Sequence, residues 1–153
     1  MAFAGRQDEI GKVGSGEIIG NVGIVTTYTK FKEGLKGGLF AKFNSATGGI
    51  EPIDGSDVSI LAGVVKRDVT GAIEDTGTCT ADNAVIVDVI EAGLVTVETS
   101  KSADIVKFDP VYIVNQGGSE DGKATKDDAS GNVLVNGYFY QKVDTNVWTI
   151  RIK

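Results

Sequence analysis

The chain has 153 residues, a net charge of −6, one cysteine and no histidine. That length suits one domain able to bury roughly 70% of its unfolded surface without disulfides. The missing imidazoles exclude the commonest general base, the usual Ser and Cys triads and most zinc or copper sites.

Glycine is the compositional outlier, 21 of 153 residues, about twice its usual share. The glycines punctuate short apolar runs, a pattern that suits many turns between short strands, as in a sandwich or barrel. Charge is uneven: residues 1–43 carry six basic and four acidic side chains, residues 44–98 two against ten, and residues 99–153 seven of each. Without a basic stripe, nucleic acid is not an expected partner, and no membrane is expected as one either.

Residues 1–20 are poor in apolar content and broken by five glycines. Too little can be buried there to offset ordering entropy, so the expectation is a flexible arm that orders only against a partner. Phe3, Arg6, Ile10, Ile18 and Ile19 are its candidate contacts. Residues 21–153 then form a single β domain. Asn21 to Tyr28 opens it as a strand, followed by Lys30, Lys32, Lys36 and Lys42. Those lysines read either as a solvated loop face or as a dock for an acidic protein partner. Leu39 to Phe43 is a second short strand, with a turn region from Asn44 to Gly49. Val58 to Arg67 is apolar on both faces through Val65, as a central strand covered on both sides would be.

Asp75-Thr76-Gly77 follows. Aspartyl proteases present this triplet so that two carboxylates share a proton, and a one-copy chain would have to dimerise. Glu74 directly before it, and the lack of a later apolar-apolar-Gly strand, favour an ordinary turn. Cys79 has no imidazole to activate it and reads as a small inert thiol made in a reducing compartment. From Ala84 to Thr99, valines alternate at period two on either side of Glu91-Ala92-Gly93. The spacing predicts a hairpin with a three-residue loop, Gly93 in the left-handed region and all the valines on one face.

Pro110 to Asn115 is a further strand, and residues 116–132 read as a long exposed loop. Gly117 to Lys123 fits the spacing of a phosphate-binding loop, but Ala124 replaces the magnesium hydroxyl, Glu120 and Asp121 would oppose phosphate, and no helix follows. Asp121, Asp127 and Asp128 lack calcium-loop spacing. No metal or cofactor is expected. Asn136-Gly137, between V-L-V and Y-F-Y, predicts a second hairpin. A three-residue loop at Asp144-Thr145-Asn146 would pair Tyr140 with Ile150 and Tyr138 with Ile152, placing both tyrosines and Trp148 on an inward aromatic face. No stretch reads as a long helix. No secretory leader is expected, since Arg6, Asp8 and Glu9 interrupt the start, and no apolar run approaches the length of a membrane span.

The order of these features resembles the capsid cement (decoration) proteins of tailed bacteriophages. The likeness is carried by Leu61-Ala62-Gly63-Val64-Val65-Lys66-Arg67-Asp68, an acidic turn region, the expected valine hairpin Val85–Val97 with its central Gly93, Pro110-Val111-Tyr112-Ile113-Val114, a Gly-rich loop and Gly137-Tyr138-Phe139-Tyr140 before a last strand. It spans roughly residues 35–153. The resemblance implies an all-β, β-sandwich or jelly-roll-like body with an extended N-terminal arm and no enzymatic activity. Such a protein is made in the host cytoplasm and adds to the outside of an icosahedral head. Its partners would be the major capsid protein and copies of itself, as a homodimer or homotrimer. Lys30, Lys32 and Lys36 join the arm residues as expected contacts. Two alternatives stay open: a jelly-roll carbohydrate- or cell-surface-binding module, which needs Trp148 facing solvent, and a dimeric protease using Asp75.

Overall fold

Alternation of β-branched and polar residues decides where the strands form, and glycine decides where they bend. The computed structural model describes residues 18–66, 86–101 and 104–153. Among them lie nine strands: β1 (Ile18–Thr29), β2 (Phe40–Asn44), β3 (Gly49–Pro52), β4 (Leu61–Val65), β5 (Ile86–Glu98), β6 (Pro110–Ile113), β7 (Ala124–Thr125), β8 (Val133–Asp144) and β9 (Val147–Ile152). They hydrogen-bond into one antiparallel sheet ordered β3-β2-β4-β5-β9-β8-β6-β7, with β1 paired to β5. The all-β body expected from the sequence is present, and its enclosed core comes from this one sheet curling into a half-barrel. No described helix is long and apolar enough to cross a membrane.

The two ends of the strand order are sewn together. Phe40 N donates to Gly122 O at 2.9 Å, and Thr99 bridges Ala124. The amide of Gly55 donates to Asn115 Oδ1 at 2.8 Å, while Asn115 Nδ2 returns a bond to Ser56 O at 3.1 Å. Asn115 is buried, so these partners satisfy a polar group that would otherwise be costly to enclose. The expected exposed loop at residues 116–132 is therefore interrupted: β7 pairs with β6 and helps close the curl.

Inside the curl sits the main core, including Phe40, Val64, Ile90, Val95, Val97, Val111, Ile113, Phe139, Trp148 and Ile150. A second cluster, with Leu35, Ala41, Ile50, Val65, Val87 and Val89, lies on the other face of β2 and β4. β4 is thus buried on both sides, as its unbroken apolar run anticipates.

Two expected hairpins are not there. Ile86–Glu98 is one strand that pairs with β1, with β4 at Val89 and Ile90, and with β9 from Gly93 onward. Ile24 faces Ala92 and Val25 faces Ile90, which leaves Glu91 as an extra residue. Gly93 does adopt a positive φ, 109°, but spends it on a bulge and not on a reversal. The bulge switches faces: Val87 and Val89 join the second cluster, whereas Val95 and Val97 join the main core. The valines do not share one face.

Asn136-Gly137 likewise lies within β8, opposite Ile152, and Gly137 has no positive φ. A Cβ there would sit far inside contact distance of the Arg151 carbonyl oxygen, so this glycine permits a close strand approach and not a turn. The β8–β9 register also differs from the expected one. Phe139 pairs with Ile150 and Tyr138 with Arg151, with shifts between Phe139 and Gln141 and between Lys142 and Asp144. A slip of one residue exchanges faces. Phe139 is in the core, edge-on to Trp148 at 5.6 Å and 77°, and the two tyrosines are half-buried on the outer face.

Candidate functional site

The four lysines of the N-terminal third do not share one surface. Lys42 is buried, its ammonium 2.6 Å from Asp54 and 3.6 Å from Glu51, with a short bond to the Ser56 hydroxyl. Lys32 reaches the same Glu51 at 3.7 Å, and Lys30 pairs with Glu33 at 3.0 Å. Lys36 is exposed. The hydrogen bond from Lys42 holds the Asp54 carboxyl well below the usual carboxylate range; the Ser56 hydroxyl and amide add to this, against the effect of burial. Much of the expected basic dock is therefore internal structure, locking β2 to the segment after β3.

Two further groups are tuned by neighbours. The Tyr28 hydroxyl donates a short bond to Glu91, and this bond, then burial, then the Glu91 charge push its pKa up to about 12. Across from it, Thr27 donates to Asp88 at 2.6 Å, so polar clasps hold the outer rungs of the β1–β5 ribbon.

The G-G-S-E-D-G-K loop folds around its own carboxylate. Asp121 accepts from the amides of Gln116 at 2.8 Å and Gly117 at 2.9 Å, the donors a phosphate would need. Lys123 is held by Glu120 at 3.0 Å, a bond that draws the Glu120 pKa down. Asp127 lies 3.7 Å from Lys101. Among the described residues no group of three or more acidic, Cys or His side chains could hold a metal.

Of the other sequence-marked positions, Ile18 and Ile19 begin β1, and Phe3, Arg6, Ile10, Asp75 and Cys79 lie outside the described residues. Trp148 is 5% exposed and packed on Phe139, so the surface aromatic that the carbohydrate-binding alternative requires is a core residue.

Sequence reading missed the outer face of β6, β8 and β9. Phe108 is 67% exposed and has φ +75°, a conformation that bulky residues rarely adopt. Its loop is pinned from several sides: Phe108 N donates to Phe139 O at 2.7 Å, Phe139 N to Asp109 O at 3.0 Å, and Val106 N to the Asp109 carboxylate at 2.9 Å. The Phe108 ring lies 5.3 Å from Tyr138, and the Lys107 ammonium sits 4.6 Å from the Tyr140 ring. The only signal for this site in the sequence is an apolar residue out of alternation between Lys107 and Asp109.

What this molecule presents, then, is surface for contact: a closed β body, a long edge ribbon and an outward aromatic patch. That defines a structural, assembly-type protein. Residues 7–153 match the family described as XM1 gp53 minor capsid protein, and the chain belongs to that family. It is similar to a chain in the structure of the capsid of Myoviridae phage XM1, with 33% identity, coverage of 91% of this chain and 89% of that one, and a TM-score of 0.80. No curated protein matches it. The chain is a capsid-associated structural protein of a bacteriophage virion.

Proposed function

We propose that this protein is a cement (decoration) subunit. It binds the outer surface of an icosahedral phage head, bridges neighbouring major capsid proteins and stabilises the shell against internal DNA pressure, acting as a homodimer or homotrimer and catalysing no reaction. The observation that carries this reading is the correspondence, over 91% of this chain, with a polypeptide of a phage capsid.

β1 supplies a physical means of bridging. Its twelve residues, I-I-G-N-V-G-I-V-T-T-Y-T, contain no charge, and among the described strands it is laddered only to β5. Ile24 and Val25 are 59% and 39% exposed. Soluble proteins usually guard such an edge with charge or proline, whereas an assembly protein can offer it to a partner strand, whose backbone bonds then give affinity. Many copies on a lattice make modest contacts strong together. In this reading residues 1–20, with Phe3, Arg6, Ile10, Ile18 and Ile19, extend the contact, and Lys30, Lys32 and Lys36 border it. Their ion pairs with Glu33 and Glu51 leave Lys36 as the most available of the three.

Co-sedimentation of purified protein with heads assembled without it tests the proposal. The wild type should bind to saturation, and a chain lacking residues 2–18 should stay folded yet fail to bind. Heads that leave the wild type in the supernatant refute the cement role; full binding by the truncated chain refutes the role of the arm.

A further inference from the structure

The outer face around Phe108 combines three features that folding alone does not call for. First, a large apolar side chain is held in solvent on a left-handed backbone, by a loop clamped to β8 through two hydrogen bonds and braced by a third within itself. Backbone strain of this kind persists only where the surroundings enforce it, and it clusters at functional sites. Second, the neighbours extend the apolar area. Leu134 is 63% exposed and pairs with Tyr112; Pro110 pairs with Tyr138 on the same face. Third, the area is cationic on a chain whose net charge is −6. Lys107 lies over both Phe108 and Tyr140, Lys153 lies 5.9 Å from the Tyr138 ring, and Arg151 stands opposite Tyr138 across the β8–β9 ladder. Among the described residues none of these three cations has a carboxylate within ion-pair distance.

We infer that this patch, centred on Phe108 and ringed by Lys107, Arg151 and Lys153, is a docking site for an acidic polypeptide segment of the phage shell. Such a segment would place an apolar side chain against Phe108 and Leu134 and carboxylates against the three cations. The inference rests on the cement reading and adds a second contact, on strands far from the N-terminal arm in the chain. Charge selects the occupant: unpaired cations call for carboxylates, and docking would pair them in a partly dry setting where such bonds gain strength. The rings discriminate further. Lysine ammonium groups already lie near Phe108, Tyr138 and Tyr140, so these rings are poor free platforms for stacking bases or sugars. Exposed aliphatic surface at Leu134 matches a protein side chain and offers a phosphate backbone nothing.

Phe108→Gly gives a clean test, because glycine accepts the positive φ and the substitution relieves strain while deleting the ring. In co-sedimentation with heads lacking this protein, the full-length Phe108→Gly chain should bind at least ten-fold more weakly with an unchanged or higher melting temperature. Lys107→Glu combined with Lys153→Glu should lose at least as much, and the wild-type affinity should fall as salt rises. Wild-type affinity in both variants would overturn the patch and leave the cement reading standing, whereas a wild type that does not bind heads would overturn both. Two other results would also overturn it: variants that change from oligomer to monomer while each subunit still binds, which would make the patch a self-contact, or wild-type retention on a DNA column that the charge reversal abolishes.

Discussion

Replacing Phe139 by alanine tests the β8–β9 register, on which the assignment of inner and outer faces depends. Phe139 is fully buried and packs edge-on against Trp148. Emptying such a site costs about 3–5 kcal/mol, transfer and cavity together. In a chain of this length each kcal/mol moves the melting temperature by about 2–4 °C, so the loss should be on the order of 10 °C. Tyr140, one residue on, faces outward, and its ring contact is with Lys107. Tyr140→Ala should cost about 1 kcal/mol or less. Trp148 is the only tryptophan and is 5% exposed, so its fluorescence reports unfolding in a urea titration directly. The register expected from the sequence, with both tyrosines inward, demands the opposite order. A Tyr140→Ala loss larger than that of Phe139→Ala would refute the face assignment and remove the patch from the surface.

Lys42→Met leaves Asp54 without its cation and the buried Glu51 with Lys32 alone at 3.7 Å; because Asp54 is 41% exposed and Lys32 remains, the cost should fall at the low end for a broken buried pair, about 3 kcal/mol by urea unfolding at pH 7; a change within about 0.5 kcal/mol would contradict the network. Gly137→Ala forces β8 away from the Arg151 carbonyl and should destabilise by roughly 2 kcal/mol or more, whereas a neutral result would contradict the close approach. The lowered pKa of Asp54 gives stability that is present above its unfolded value near 3.8 and lost as pH falls through the folded value beneath it. Asp54→Asn should therefore flatten the acid limb of a stability–pH curve, and an unchanged limb would count against the Lys42 bond. The raised pKa of Tyr28 works at the other end: its contribution is present below pH 10 and lost as pH rises through about 12, and Tyr28→Phe should remove that alkaline loss.

The legible part of the fold was its local periodicity. β2, β4, β6 and β9 lie where short apolar runs place them, and the turn from Asn44 to Gly49 joins β2 to β3 as its residues suggest. Gly93 and Gly137 read as turn glycines in the sequence, but a glycine between apolar runs can be a turn, a bulge or a close approach. The choice depends on neighbours distant in sequence: Gly23 and Ile152 both pair with Gly93, and Ile152 also pairs with Gly137. No local window contains that information. The internal pairing of Lys42 is hidden from the sequence for a related reason. Lys42 follows two apolar residues in a strand, yet only the fold shows that Asp54 and Glu51 wait for it inside. Phe108 left no periodic trace because its position rests on a loop clamped by β8, thirty residues later in the chain. The resemblance to phage cement proteins rested on the order of such runs, which survives errors about where the chain reverses, and family membership in a phage capsid protein agrees with it.

A cement subunit strengthens a phage head by gripping its shell from outside. Calorimetry of DNA-filled heads prepared without the protein, before and after adding it back, measures that effect directly. The rupture temperature should rise, climbing with added protein and levelling off once the lattice sites are full. Identical rupture temperatures at full occupancy would contradict it.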